Sequence, residues 1–131
     1  MARERYRLAK QVNGRFAYAE VEVSAAVVEQ GMRSVVVSDH VFAWLKDVYG
    51  PDAWEWAVCD EYRKAAIEGA HVALDHASPA VEAAVVIERI RAAPADSSAE
   101  TIAYAAAQAT WRALDVRPTK ALQIYGVELP G

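Results

Sequence analysis

Apolar side chains fall on alternate positions from Arg15 to Val23, with Ala17, Ala19, Val21 and Val23 on one face and Phe16, Tyr18, Glu20 and Glu22 on the other. That two-residue period predicts a half-buried strand. Asn13-Gly14 just before it is a tight-turn pair, so Tyr6–Val12 is expected as an earlier strand across a hairpin. The run Ser34–Ser38 is short and β-branched, which favours a strand over a helix, and Asp39-His40 closes it. Val41–Tyr49 predicts a short amphipathic helix stopped by Gly50-Pro51. Asp60–His76 predicts a longer helix, in which Ala65, Gly69 and Ala73 form a narrow small-residue stripe that lets another element approach its backbone closely.

Val81–Ile90 reads as a further strand, with Val81, Ala83, Val85 and Ile87 on one face and Ala84, Val86 and Ile90 on the other. After the loop Arg91–Ala95, the triplet Asp96-Ser97-Ser98 marks a helix start, and Ser97 with Glu100 stands at capping-box spacing. Ala105, Ala109 and Ala113 repeat the small-residue stripe, with Ile102 as a larger anchor, so the two long helices should lie side by side. Asp115–Thr119, containing Pro118, ends the second of them, and Ala121–Leu129 is expected as the last strand. The predicted fold is an α+β two-layer sandwich in which a four-stranded sheet carries two main helices on one face. Residues 1–131 are expected to form a single domain.

A hydrophobic fraction of 54% is enough for one substantial core. No run approaches the roughly 18 apolar residues of a membrane span, and Met1–Arg5 lacks a signal-peptide apolar segment, so a soluble cytoplasmic protein with no membrane partner is expected. Cys59 is the only cysteine, which excludes an internal disulfide and leaves it as a small hydrophobe near a helix start. The net charge of -4 argues against a dedicated nucleic-acid binder. That average hides an asymmetry: Arg3, Arg5, Arg7, Lys10 and Arg15 against Glu4 give residues 1–15 a balance of +4, leaving -8 for the remainder. These five cations, with Arg91, are the candidate RNA contacts; the alternative is a solvated first strand or a frayed terminus. Trp44, Trp54 and Trp56 crowd one segment, either packed on the core or exposed as a partner contact or self-association patch.

Recognisable catalytic chemistry is missing. His40, His71 and His76 fit no nucleophile–base motif, and His71 and His76, five apart, point to different sides of a helix, which is poor metal-ligand spacing. Ser97 and Ser98 at a helix start could take a phosphate, but Asp96 beside them repels an anion and capping explains the same residues. Asp60, Glu61, Glu68 and Asp75 read as the wet face of the first long helix. No Gly-x-x-x-x-Gly-Lys-Ser/Thr loop occurs, so no nucleotide site is expected; nor is a cofactor, a metal or an enzymatic activity.

Taken in order, the segments resemble domain IV of translation elongation factor G. Gly14-Arg15-Phe16-Ala17-Tyr18 is similar to that family's Gly-Arg-x-x-Tyr opening. Glu61-Tyr62-Arg63-Lys64-Ala65-Ala66-Ile67-Glu68-Gly69, continuing to Ala73-Leu74, resembles its Glu-Tyr-x-x-Ala-Val-x-x-Gly helix. Val85–Ile90 leading to Asp96-Ser97-Ser98 and then Ala105-Ala106, Ala109 and Ala113 resembles its Asp-Ser-Ser helix entry, and Leu122–Glu128 its closing strand. The resemblance covers nearly the whole chain and implies the fold shared with the second domain of ribosomal protein S5. It also implies a translation-related, non-catalytic binding module with the ribosome, RNA or a protein as partner. The departures bear on role: Ala93 stands where the family has a histidine at the domain's tip, and the glycine-rich tip loop keeps only Gly14. A small-ligand binder or an enzyme built on the same fold is the alternative, since fold alone does not decide function.

Overall fold

The computed structural model describes residues 1–50, 52 and 57–129. Strands β1 (Ala2–Val12) and β2 (Arg15–Val28) form a long antiparallel hairpin. Its turn residues Asn13 (φ 51°) and Gly14 (φ 79°) both lie in the left-handed region, as a two-residue turn that matches strand twist requires. Strand β3 (Ser34–Val37) leads through the short helix α1 (Ala43–Tyr49) to helix α2 (Ala57–Asp75) and, past the two-residue strand β4 (Ala77–Ser78), to β5 (Glu82–Arg91). Helix α3 (Ala99–Leu114) follows, then three two-residue strands, β6 (Arg117–Pro118), β7 (Gln123–Ile124) and β8 (Val127–Glu128). The main sheet has four strands in the order β1-β2-β5-β3, antiparallel except for the parallel β3–β5 pair.

Both long helices cover the same face of this sheet, α3 over β1 and β2 and α2 over β3 and β5. Ala17, Ala19, Val21 and Val23 are fully buried beneath them, as the alternation predicts. The other face carries no helix among the described residues. The architecture is thus an α+β two-layer sandwich.

Four local expectations are corrected. Ile90 is buried with Ile87 rather than facing away from it: Glu22 pairs with Arg89 while Val23 pairs with Ile87, so Glu88 is an extra, bulged residue that resets the alternation. The α3 cap lies one residue later than expected. Ser98 Oγ accepts from the Thr101 amide at 3.2 Å, and Thr101 Oγ1 accepts from the Ser98 amide at 2.9 Å. Ala121–Leu129 does not join the main sheet. It folds into its own hairpin, β7–β8, around Tyr125 (φ 51°) and Gly126 (φ 78°). Finally, α3 meets α2 along Ala103, Ala107 and Trp111 rather than along Ala105, Ala109 and Ala113, which pack in the larger core shared with the sheet. The Trp111 indole N–H donates to the Ala73 carbonyl at 2.8 Å, fixing that contact.

Helix α3 is therefore enclosed almost all round, with the sheet, α2 and the β7–β8 segment on successive sides. Leu8, Val12, Ala17, Tyr104, Ile124 and Leu129 make a second, smaller cluster under the last of these. Strands β4 and β6 pair with each other and clasp the C-terminal ends of the two long helices.

Candidate functional site

Residues on the helix-free face of the sheet are set by the strand register. Arg5, Glu22 and Arg89 stand side by side across β1, β2 and β5, and Arg7, Glu20 and Arg91 form the next row. Arg3 completes the pattern: its guanidinium lies 2.9 Å from Glu22 and 3.7 Å from the bulged Glu88, whose carboxylate also accepts from Ser24 Oγ at 2.6 Å. The hydrogen bond to Glu22 and its charge raise the Arg3 pKa further, keeping it a fixed cation. Arg5 sits 3.4 Å from Glu20. Five arginines thus surround three glutamates, and the face carries an excess of positive charge.

The six predicted RNA-contact residues do not form one arm. Arg3, Arg5 and Arg7 share the open face, because they alternate with the core-facing Leu8 and Val12, whereas Lys10 and Arg15 project from the helix-bearing side. Arg3 and Arg5 are held by carboxylates, but among the described residues none lies within 4.0 Å of Arg7, Lys10, Arg15, Arg89 or Arg91. Arg7 stacks 5.7 Å from the Tyr18 ring, Arg15 lies 4.0 Å over Tyr125 and Arg91 lies 5.7 Å from Trp44. Phe16, 40% exposed, and the half-buried Tyr18 continue the open face toward the hairpin turn. Arg89 is an addition that the sequence reading missed; its signal is the Arg89-Ile90-Arg91 alternation.

The loops at this end of the sheet are tied together. Past the end of β5, the loop runs on beside β2: the Tyr18 amide donates to the Asp96 carbonyl at 2.9 Å, and Ser97 Oγ donates to the Tyr18 carbonyl at 2.7 Å while accepting from the Ala93 amide at 3.0 Å. Ser97 is a loop clamp and Ser98 the helix cap. Tyr125 joins the remaining pieces. Its carbonyl accepts from Asn13 Nδ2 at 3.1 Å, its amide donates to Glu100 at 2.7 Å, and its hydroxyl lies 3.1 Å from Ser98 Oγ. These bonds occupy Ser97, Ser98 and Glu100 structurally and rigidify the tip.

Trp44 is half-buried, with its indole N–H donating to the Ile90 carbonyl; Trp54 and Trp56 lie outside the described residues. Cys59 is buried, and desolvation raises its thiol pKa, which lowers its reactivity. Asp60, Glu61, Glu68 and Asp75 are exposed along α2, two of them paired at 2.8 Å with Arg63 and Arg33. Among the described residues no group of three or more His, Cys, Asp or Glu side chains is placed to hold a metal, and no helix is long and apolar enough to cross a membrane.

The fold and the site define an α+β sandwich with an open, arginine-rich sheet face. A crystal structure of a protein from Thermus thermophilus shares the fold, with a TM-score of 0.59 and 17% identity over 85% of this chain. The chain spans 15% of the length of that protein. No family model matches the sequence, and no curated protein matches it.

Proposed function

We propose that this chain is a non-catalytic RNA-binding module, related to domain IV of elongation factor G and acting in the cytoplasm. The observation that carries this reading is the set of exposed arginines with no carboxylate partner among the described residues, Arg7, Arg89 and Arg91, beside the Tyr18 and Phe16 rings on an open sheet. Single-stranded RNA is bound by this combination: cations follow the phosphates while unstacked bases lie on aromatic or guanidinium planes. Arg15 and Lys10 extend the positive surface around the hairpin turn, and the tip needs no reordering because Tyr125 and Ser97 already brace it. With Ala93 in place of the family's tip histidine, recognition rests on the arginines rather than on an imidazole.

The test is binding of a fluorescein-labelled single-stranded RNA, and co-sedimentation with ribosomes, across a salt series. Wild-type protein should bind at low salt, and Arg7→Ser/Arg89→Ser/Arg91→Ser should flatten the log K against log salt slope by about 2, as loss of three phosphate contacts predicts. Absence of binding at low salt, or an unchanged slope in the triple variant, overturns the proposal.

A further inference from the structure

Strand β1 is eleven residues long and lies at the edge of the sheet; among the described residues, no strand pairs with its outer side. We infer that this outer edge docks an extended acidic segment of another protein, which adds to the sheet as a fifth strand.

The backbone is already arranged for it. Val12 and Arg15 flank the two-residue turn, so even-numbered residues of β1 exchange hydrogen bonds with β2 and odd-numbered ones turn their N–H and C=O groups outward. The Arg5 carbonyl shows this directly: it accepts from Arg112 Nη1 at 3.3 Å, a guanidinium standing where a strand amide would donate. A partner strand releases Arg112 and supplies that amide, as in other cases of strand addition to an open edge.

Charge selects the occupant. Across the sheet, the rows Arg5–Glu22–Arg89 and Arg7–Glu20–Arg91 run basic, acidic, basic, and the column beyond β1 completes the alternation when it is acidic. Arg3 shares the face and extends the preference along the strand. A second copy pairing through its own β1 would set arginine against arginine, and like charges directly opposite each other destabilise a sheet. On the helix side of the edge runs a groove of about 790 Å³ lined by Glu4, Gln108, Trp111, Arg112, Arg117 and Pro118, among others, which receives the alternate side chains of the added strand. The expected ligand is therefore an extended peptide with acidic residues at every second position. The inference rests on the open backbone edge and the charge rows, and it stands whether or not the sheet face binds RNA.

Backbone amide hydrogen exchange, read by NMR, tests the inference with a synthetic peptide of alternating glutamate and threonine, about eight residues long, and with its lysine–threonine counterpart. The glutamate peptide should slow exchange at Arg3, Arg5 and Arg7 while leaving the already bonded Tyr6 and Leu8 amides unchanged. Arg7→Glu should weaken that peptide roughly 3- to 10-fold and favour the lysine peptide. Arg5→Pro removes an outward amide at an edge position where proline is tolerated and should abolish binding; if it fails to fold, the Arg7→Glu reversal decides alone. Equal binding of both peptides, protection at even positions, or odd-position protection produced only by single-stranded RNA overturns the inference.

Discussion

Replacing Gly69 with alanine tests the close backbone approach between α2 and α3. A Cβ at this position would lie 2.2 Å from the Ala103 carbonyl oxygen and 2.9 Å from its carbon and Cα, all backbone atoms of α3. Since carbon–oxygen contacts settle near about 3.3 Å, the two helices must part by roughly 1 Å. A gap of that size forfeits about a quarter to a half of each dispersion contact along Ala73, Ala107 and Trp111. Overpacking of a tight contact costs typically about 1–3 kcal/mol, and this site belongs at the upper end because no side chain can rotate away. Alanine regains about 1 kcal/mol of helix propensity, so the net destabilisation is about 2 kcal/mol. For a chain of this size that lowers Tm by roughly 8 °C while leaving the protein folded. Urea melts followed by circular dichroism, and in parallel by tryptophan fluorescence, measure it, since Trp111 lies in the affected contact. A Gly69→Ala protein as stable as wild type, or more stable, would show that helix propensity outweighs packing here and refute the reasoning.

Two further predictions concern α3. Ser98→Ala should cost about 1 kcal/mol by removing the cap that Thr101 reciprocates, and Thr101→Val a similar amount, by chemical denaturation; no loss in either variant would refute the cap at Ser98. Among the described residues the buried Tyr104 hydroxyl has no hydrogen-bond partner, Tyr6 and Gln108 being near but not in bonding geometry, and burial raises its pKa above the usual 10.0. Because the folded-state pKa is raised, this group's stabilisation is complete below about pH 10 and is lost as pH rises through the folded value. Tyr104→Phe should raise stability by about 1 kcal/mol at neutral pH and blunt the alkaline loss; a lower Tm in this variant would mean that the hydroxyl is bonded after all.

What the sequence displays depends on how local its causes are. The Ala17–Val23 alternation and the Asn13-Gly14 turn are set by neighbours a few residues apart, and both appear as expected. Ile90 departs from expectation because a bulge resets a two-residue period without leaving a mark in composition; only the cross-strand partner Glu22 reveals it. The cap differs by one residue because Ser97 and Ser98 each start a plausible frame, and Glu100, the apparent partner, is taken by Tyr125 of the β7–β8 hairpin. The final strand is shorter than expected for a related reason: Leu122 and Ile124, then Tyr125, Val127 and Leu129, are spaced well enough for a long strand, but Tyr125-Gly126 turns the chain back. At the candidate site, Arg7 and Arg91 are visible as basic residues, whereas their position either side of Glu20 is a product of register between strands far apart in sequence. The same register hides the distinction between Arg3 and Arg5, held by glutamates, and the arginines left uncommitted.

The β7–β8 hairpin has a bearing on when the first strand is shielded from its neighbours. Residues 122–129 are made after every strand of the main sheet, yet they supply Ile124 and Leu129 to the cluster around Leu8 and Val12 and close the tip through Tyr125. A chain lacking them would keep the β1–β2 hairpin and both long helices while leaving an apolar flank of its first strand wet. Such a flank is a target for chaperones or for a neighbouring nascent chain. A segment far along the chain thus decides whether the first strand is covered.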